Sequence, residues 1–374
     1  MTERLALVLI NGFVLLIILI MQIITPKVIR KNILFGVKVP EDRVDDEEVE
    51  KIQMGFRRDN LLVGIPILLI FSLLLYIFSN PIFQMLLIFI YMGILFLIYL
   101  KYNAKVKVLK KERGWDKIGR KMVVVDIKYS RDKSKTGNIS SLWFLIPLAI
   151  TVFNIVLSLV IYPKLPDKIP THWNFTGEIT TYSNKSYGIV LMDDIVQLFM
   201  LGLFYFSYWM IGKSKQQINP NNPEESIKGN IVFRKAWSIY LLIITILTIL
   251  LFTALNLLSY GILFKTTKMV DILTWAVLGF SIIGAIVLST KIGQGGERLR
   301  SKEDIETRKV YDRDDDKLWK LGNIIYYNPE DSSLFIEKRF GVGWTVNTGR
   351  PLGMFLMILP IIIVIVTLFK MLNL

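Results

Sequence analysis

The sequence predicts an all-α polytopic membrane protein with about eight transmembrane helices, an N-out and C-out orientation, and a small cytoplasmic β-sheet formed from the 101–141 and 291–351 loops. Hydrophobic residues make up 53% of the 374 residues, and the mean hydropathy is +0.48. Both values exceed those of ordinary soluble domains. The apolar residues form eight runs without Asp, Glu, Lys or Arg. Each run is close to the ~20 residues that cross a bilayer core.

The eight charge-free runs are the predicted spans. They are residues 5–24, 61–78, 82–100, 142–162, 195–211, 236–260, 272–290 and 352–369. The first run resembles a signal peptide, but it is longer than a typical apolar region of one, and residues 22–26 contain no small-x-small cleavage site. We therefore expect a retained span at the N-terminal end.

The orientation follows from the basic residues, which accumulate in cytoplasmic loops. Segments 25–60, 101–141, 212–235 and 291–351 hold 38 of the 45 Lys and Arg residues, and the alternate segments hold 7. Strict alternation around eight spans predicts that both chain ends lie outside. Aromatic residues at the predicted boundaries, such as Trp143 and Trp209 inside and Tyr260 and Trp275 outside, are typical of interface anchors.

The same pattern divides the chain into nine segments. They are residues 1–24 (first span), 25–60 (cytoplasmic loop), 61–100 (second and third spans), 101–141 (basic linker with a strand), 142–211 (fourth span, outer loop and fifth span), 212–235 (cytoplasmic loop), 236–290 (sixth and seventh spans), 291–351 (cytoplasmic β domain) and 352–374 (eighth span).

The two long inner segments contain strand-like stretches. Residues 122–129 are β-branched, and residues 323–327, 334–338 and 344–347 are separated by turn-rich sequence. Because a lone hairpin is marginal in water, we expect all four stretches to form one sheet.

The 25–60 loop carries an acidic cluster after Pro40. This pattern is typical of a helix start, and it predicts a solvated helix that runs through Phe56 along the membrane surface. A cation site at Asp45, Asp46 and Glu48 is the alternative, although their spacing does not match a calcium loop.

Several chemistries are excluded or disfavoured by composition. The chain has no cysteine and one histidine, so disulfides, thiolate metal sites and two-imidazole sites are excluded, and we expect no cofactor or metal. The formal net charge of +14 is explained by inner loops that face anionic lipid of the bilayer. Nucleic acid is disfavoured as a partner, because no aromatic-basic interleaving or known motif accompanies the charge.

The outer loop between the fourth and fifth predicted spans contains the only histidine. Three prolines within eight residues stiffen the approach to His172, Trp173 and Asn174, and Gly177 ends the stiff segment. Such a preorganised surface is suited to binding. The alternative is structural, with Trp173 at the membrane interface and its neighbours hydrogen-bonded within the loop. The candidate ligand-binding residues are Pro170, His172, Trp173, Asn174, Gly177, Glu178, Asp193 and Asp194.

The stretch L-P-x-x-I-P-x-H-W-N-x-x-G, residues 165–177, resembles the signature of a bacterial membrane domain of unknown function shared with SdpI-type immunity proteins. Residues 315–347, with D-D-x-x-W-x-x-G, Y-Y-N-P-x-D and G-x-G-W-T-x-N, resemble a second uncharacterised cytoplasmic domain. The candidate partner-docking residues there are Trp319, Tyr326, Tyr327, Asn328, Trp344 and Asn347.

The SdpI-type resemblance implies protection against a secreted antimicrobial peptide and a signal to a cytoplasmic regulator. It also implies a multi-pass protein of the bacterial cell membrane, in a Gram-positive organism. The chain departs from SdpI because it lacks that protein's C-terminal membrane domain and has the predicted inner sheet instead.

We therefore expect a membrane sensor or resistance-type protein with an extracellular peptide ligand. The alternative is a transporter or flippase-like protein, which is disfavoured because the predicted spans contain no ionisable residue. Asp193 and Asp194 precede the fifth span, where helix-start acids are common. We do not expect an enzyme: His172 could act as a general base beside Glu178, Asp193 or Asp194, but no nucleophile is identifiable. The polar span residues Asn11, Gln84, Asn154, Gln197 and Asn256 are expected to join helices by hydrogen bonds.

Overall fold

The computed structural model describes residues 3–78, 81–116, 137–174, 177–216, 218, 223–262, 267–299 and 315–372. Within these residues, seven helices are long and apolar enough to cross a membrane. They are α1 (Glu3–Val28), α2 (Glu47–Ile77), α3 (Pro81–Glu112), α4 (Leu145–Ile161, flanked by 3-10 turns), α6 (Met192–Lys213), α7 (Pro223–Ser259) and α8 (Lys268–Lys291), with the one-turn helix α5 (Tyr187–Val190) before α6. The chain is an integral membrane protein.

The predicted eighth span is a helix, α9 (Pro351–Leu372), which begins one residue before the predicted run. Its described apolar part, Pro351–Thr367, is shorter than the seven candidate spans. The count of eight spans and the orientation therefore stay predictions.

Three helices extend well beyond their apolar runs. Helices α2, α3 and α7 contain 31, 32 and 37 residues, so they are about 46–56 Å long at 1.5 Å per residue. A bilayer core is ~30 Å thick. All three extensions lie on the side that the charge distribution predicts to be cytoplasmic. The expected separate surface helix through Phe56 is wrong, because those residues form the first turns of α2.

The chain divides into two compact units. The first comprises Met1–Arg131, Ser214–Asn230 and Ile292–Leu374, and the second comprises Asp132–Lys213 and Ile231–Lys291. In the first unit, α1, α2 and α3 pack together with a tight hairpin, β1 (Ile33–Leu34) and β2 (Val37–Lys38). The hairpin turn inserts Phe35 between Phe56 and Tyr102, with ring centroids 4.6 and 5.7 Å away.

The C-terminal part of the first unit contains four short strands. They are β5 (Trp319–Lys320), β6 (Ile325–Tyr326), β7 (Phe335–Glu337) and β8 (Trp344–Val346). They form two separate antiparallel pairs, β5 with β6 and β7 with β8, linked by a single parallel bridge between Tyr326 and Asn347. The prediction of one continuous sheet is therefore wrong for these strands, and the stretch 122–129 lies outside the described residues.

In the described part of the chain, the two inner segments meet through α3. The Lys110 Nζ donates to Asp316 Oδ2 at 2.7 Å. Arg339 bonds both Asp315 and Asp316 and also donates to the carbonyl of Gly36 in the β1–β2 turn at 3.0 Å. A largely buried network of charged side chains therefore joins the described parts of these segments.

The second unit contains α4, α6 and α8, the described part of α7 from Ile231 onward, and a hairpin. The hairpin strands are β3 (Lys168–Trp173) and β4 (Ile179–Asn184). They occupy the segment that the sequence analysis treats as an outer loop, and α5 follows them.

Candidate functional site

The segment around the only histidine is a β-hairpin with two compensating bulges. Ile169 pairs with Ser183, His172 pairs with Thr181, and Trp173 pairs with Ile179. The register shifts by one residue before His172 and shifts back after it. Bulges re-aim side chains and increase the local twist. Here they surround His172, which is exposed on the hairpin.

The turn of this hairpin is held by Asn174 and Glu178. The Asn174 Nδ2 donates to Glu178 Oε2 at 2.9 Å, and the Glu178 backbone N–H donates to Asn174 Oδ1 at 2.9 Å. Gly177 has φ +84°, and a Cβ there would collide with the Thr267 side chain. Gly177, where the stiff segment is predicted to end, is thus a turn residue with left-handed backbone geometry, and it lies close to Thr267.

The base of the hairpin is fastened by Lys185. Its Nζ donates to the Leu165 carbonyl at 2.7 Å, its backbone N–H donates to the Asp167 carbonyl at 2.8 Å, and its ammonium lies 5.5 Å from the ring centroid of Tyr162. Tyr162 stacks on Tyr187 at 4.0 Å. The hairpin is therefore a fixed part of the second unit.

Two apolar contacts attach the hairpin to helices. Ile169 is buried together with Leu165, Val190 and Tyr260. Trp173 is half-buried and packs against the apolar cluster that α7 and α8 form around Leu258 and Val270. Trp173 thus has a packing role within the second unit.

A cavity of about 240 Å³ lies between the hairpin, α5, the start of α6 and the end of α7. This volume is below the ~300–1,000 Å³ of sites for drug-sized ligands, so it suits a small group or one side chain. Of the candidate ligand-binding residues, Pro170, His172, Trp173 and Asp193 line it together. Asn174, Gly177 and Glu178 lie at the hairpin turn and do not line it. The remaining wall consists of Ile169, Thr171, Ile189, Val190, Met192, Leu255, Asn256, Ser259 and Tyr260.

The two aspartates at the start of α6 differ sharply. Asp194 is 1% exposed, accepts from Ser158 Oγ at 2.6 Å, and accepts from Asn256 Nδ2 at 2.9 Å. Asp193 lies on the cavity wall, and it forms no hydrogen bond or ion pair with any described residue. The Asp194 carboxylate therefore joins α4, α6 and α7 through its hydrogen bonds, whereas the Asp193 carboxylate is available to a ligand.

A second set of polar contacts between the same three helices lies one helical turn away from Asp194. Asn154 Nδ2 donates to Gln197 Oε1 at 2.9 Å and to Thr253 Oγ1 at 2.7 Å. Asn154, Gln197 and Thr253 are three or four residues from Ser158, Asp194 and Asn256 on the same three helices, a spacing that places them on one face. The Gln197 Nε2 is buried without a hydrogen-bond partner among the described residues.

The expectation that polar span residues join helices is confirmed. Besides these pairs, Gln84 Nε2 of α3 donates to Asn11 Oδ1 of α1 at 2.5 Å. Two residues of this site are not among the candidates from the sequence. Ser158 was not singled out, and Tyr260 was expected to be an interface anchor, but it is buried and bonds Ser158 and the Val190 carbonyl. The four-residue spacing of Asn154 and Ser158 is the signal that could have found this face.

Three of the six candidate docking residues of the inner segment are buried. Trp319 and Tyr326 are buried against each other at 5.1 Å, and Arg339 lies over the Trp319 ring at 5.0 Å. Tyr327 is 45% exposed, and Trp344 is half-buried. Among these four aromatic residues, Tyr327 therefore offers the largest fraction of its surface to a partner.

The two asparagines of that set organise the loop between β6 and β7. Asn347 is fully buried, and its Nδ2 donates to the carbonyls of Asn328, Asp331 and Ser333. Its Oδ1 accepts from the backbone N–H of Asn328 at 3.0 Å. Asn328 Oδ1 in turn accepts from the Glu330 backbone N–H at 3.0 Å. These hydrogen bonds give both asparagines a structural role in the loop.

Two parts of the chain match uncharacterised families. Residues 149–193 match a domain of unknown function, DUF1648. That segment runs from α4 through the hairpin to Asp193, so it contains most of the cavity wall. Residues 329–354 match a family of unknown function, DUF5808, and contain β7, β8 and the start of α9. No curated protein and no solved structure matches the chain.

Proposed function

We propose that this protein is a membrane receptor that binds a cationic group of an extracellular ligand in the hairpin cavity. The observation that supports it is the Asp193 carboxylate, which lies on the cavity wall without a partner in the described residues. A carboxylate in such a setting gains from an ammonium or guanidinium ligand through a charge-assisted hydrogen bond. Trp173 and Tyr260 on the same wall favour a cation in addition, because aromatic faces attract positive charge.

The proposal includes the finer expectations from the sequence. We take the ligand to be a basic side chain of a secreted peptide, and the protein to be a sensor or resistance-type protein of the bacterial cell membrane without enzymatic activity. SdpI-like immunity and signalling to a cytoplasmic regulator belong to this reading. Ligand contact with Asp193 would reach α4 and α7 through the adjacent Asp194, which bonds both helices.

Binding is tested with the purified protein in lipid nanodiscs, by titration with n-butylammonium chloride and by tryptophan fluorescence, because Trp173 lies on the cavity wall. Butyrate, of similar size and opposite charge, is the matched control ligand. Asp193→Asn should weaken butylammonium binding about tenfold or more, the value of one charge-assisted hydrogen bond. Asp167→Asn should have no effect, because that side chain is fully exposed.

Equal binding of butylammonium and butyrate, or equal effects of the two Asp→Asn changes, would refute a cation site.

The proposal that the ligand is a secreted peptide is tested separately. A deletion strain is complemented by wild type, Asp193→Asn or His172→Ala and challenged with secreted antimicrobial peptides. Protection by wild type that is lost in the variants at equal membrane abundance is the expected result. No protection with any peptide would reject immunity while leaving the cation site intact.

A transporter is the second candidate, and the two sets of polar contacts favour it. Asp194 and Gln197 place a carboxylate and an amide on successive turns of a candidate span, and Gln197 has an unused donor among the described residues. Buried polar groups at membrane depth are typical of translocation routes. Uptake of butylammonium by proteoliposomes, lost in Gln197→Leu, would favour transport, whereas binding without uptake would favour a receptor.

A further inference from the structure

A second cavity lies on the first unit, where α2 and α3 leave the apolar part of the molecule. Its volume is about 470 Å³, and its wall includes Lys51, Gly55 and Arg58 from α2 and Tyr102 and Lys105 from α3. This site belongs to neither the hairpin cavity nor the segments that match known families. Three basic side chains line it, two from α2 and one from α3.

The cavity wall is positively charged. Lys105 forms no ion pair with any described residue and lies 4.7 Å from the Tyr102 ring centroid. Lys51 pairs with Glu47 at 2.6 Å and Arg58 pairs with Asp59 at 3.4 Å, but both cations are more than 60% exposed. Exposed pairs of this kind contribute little, so an anion can compete for these cations.

The floor of the cavity is formed by a close helix contact. A Cβ at Gly55 would lie 2.8 Å from Tyr102 Oη, so glycine allows α2 and α3 to approach here. The Tyr102 hydroxyl donates to Asp59 Oδ2 at 2.8 Å, and Lys101 Nζ donates to the same oxygen at 2.7 Å. Asp59 is therefore neutralised by its own partners, and its charge opposes an anion only weakly.

The position along the helices matches a lipid headgroup. Arg58 lies three residues before the apolar run that begins at Leu61, and Lys105 lies five residues after the run that ends at Leu100. At 1.5 Å per residue these offsets are about 5 and 8 Å from the hydrocarbon edge. The polar headgroup region of each leaflet occupies roughly the same distance.

We propose that this cavity binds the phosphate of an anionic phospholipid headgroup, held by Arg58 and Lys105 with Lys51 at its outer rim. The ligand is a phosphate group in a place that lipid reaches laterally from the bilayer. A bound lipid would join α2 to α3 just outside the apolar core. Basic sites beside transmembrane helices on the cytoplasmic side are known to select anionic headgroups by the same charge complementarity.

The test is native mass spectrometry of the full chain released from micelles that contain phosphatidylglycerol or phosphatidylcholine. Wild type should retain one phosphatidylglycerol in preference to phosphatidylcholine. The double variant Arg58→Gln, Lys105→Gln should bind phosphatidylglycerol about 30-fold more weakly, which corresponds to about 2 kcal/mol at roughly 1 kcal/mol per basic residue. Lys107→Gln is the matched control, because it removes another exposed charge from the same helix, at a residue that does not line the cavity.

A second experiment, in phosphatidylcholine nanodiscs, distinguishes the phosphate of a lipid headgroup from soluble phosphate. If inorganic phosphate raises the melting temperature as much as phosphatidylglycerol does, and the double variant abolishes both effects, the site takes soluble phosphate and the lipid assignment is wrong. The single variants Arg58→Gln and Lys105→Gln are measured beside Lys107→Gln. If Lys107→Gln weakens phosphatidylglycerol binding as much as either of them does, the effect is that of a general surface charge and the proposed site is wrong. Because only exposed side chains change, the variants should fold normally.

Discussion

At the residue scale, the most informative group is the carboxylate of Asp194. It is buried where α4, α6 and α7 meet, and it accepts from Ser158 and Asn256. A buried acceptor of two donors cannot be removed without leaving those donors unpaired, which costs more than the hydrogen bonds themselves contribute. Its neighbour Asp193 has no such constraint, and it is therefore the side chain that we propose for ligand binding.

Asp194→Ala should destabilise the protein by about 1–3 kcal/mol for each donor left unpaired. Asp194→Asn should be milder, because the amide oxygen can still accept one of the two hydrogen bonds. The measurement is the melting temperature in detergent, with Asp193→Ala as the neighbouring control. If both alanine variants melt together with wild type, Asp194 does not hold the three helices.

At the scale of single elements, the β3–β4 hairpin needs contacts outside itself, since an isolated two-stranded hairpin is marginal in water. Ile169 and Trp173 supply apolar packing, and Lys185 fastens the base. The side chain of Trp173 packs against helices and also lines the cavity, so we expect its loss to affect both stability and the proposed binding.

Trp173→Ala should cost about 2 kcal/mol, roughly half the value for a fully buried tryptophan. Trp173→Phe should retain most of the packing. Limited proteolysis within residues 174–178 reports whether the hairpin has detached. Trp275→Ala provides the control, because that side chain is 59% exposed on α8 and should tolerate the change.

The C-terminal strands of the first unit are held to the rest of that unit by ion pairs, centred on Asp316. Burial acts to raise the pKa of Asp316, but the neighbouring Arg339 and Lys110 outweigh it and hold that pKa below its ordinary value. A carboxylate with a depressed pKa in the folded state contributes stability above its unfolded pKa, and this contribution is lost as the pH falls through the folded value.

We therefore expect wild type to lose stability as the pH falls below about 4, the ordinary range of an aspartate. Asp316→Asn should be less stable than wild type at neutral pH, and the difference should shrink in acid. Melting temperatures across this pH range check both statements. A constant difference between the two proteins at every pH would contradict the ionic account of this contact.

At the scale of the whole molecule, the central prediction is orientation. The 38 to 7 division of basic residues between alternate segments predicts that the hairpin lies outside and that the extensions of α2, α3 and α7 lie inside. The absence of cysteine makes a direct experiment simple, since each introduced cysteine is the only thiol in the chain.

Thr180→Cys on β4 should react with a membrane-impermeant maleimide in intact cells, because that position is exposed on the hairpin. Lys107→Cys on α3 should react only after permeabilisation. A tag at the C-terminal end that is accessible in intact cells would add the eighth span. Labelling of Lys107→Cys and not Thr180→Cys in intact cells would reverse the orientation.

Much of this architecture follows from local sequence. Charge-free runs mark all seven candidate spans, because a bilayer core excludes charge and requires a fixed length of helix. The charge-free runs underestimate the lengths of α2, α3 and α7, because these helices continue beyond their apolar residues, where caps and tertiary contacts stabilise them. The inner strands were recognisable by composition, but their pairing was not, because pairing depends on residues distant in sequence.

The sequence by itself determined that this is a membrane protein, where its helices lie and which short segment departs from generic composition. Only the tertiary structure decided that Asp193 lies on a cavity with His172 and Trp173, that Asp194 is committed to Ser158 and Asn256, and that Arg339 and Lys110 converge on Asp316. Helix formation in a bilayer is imposed locally by the solvent, whereas the partner of a buried polar group is set by which helices pack together.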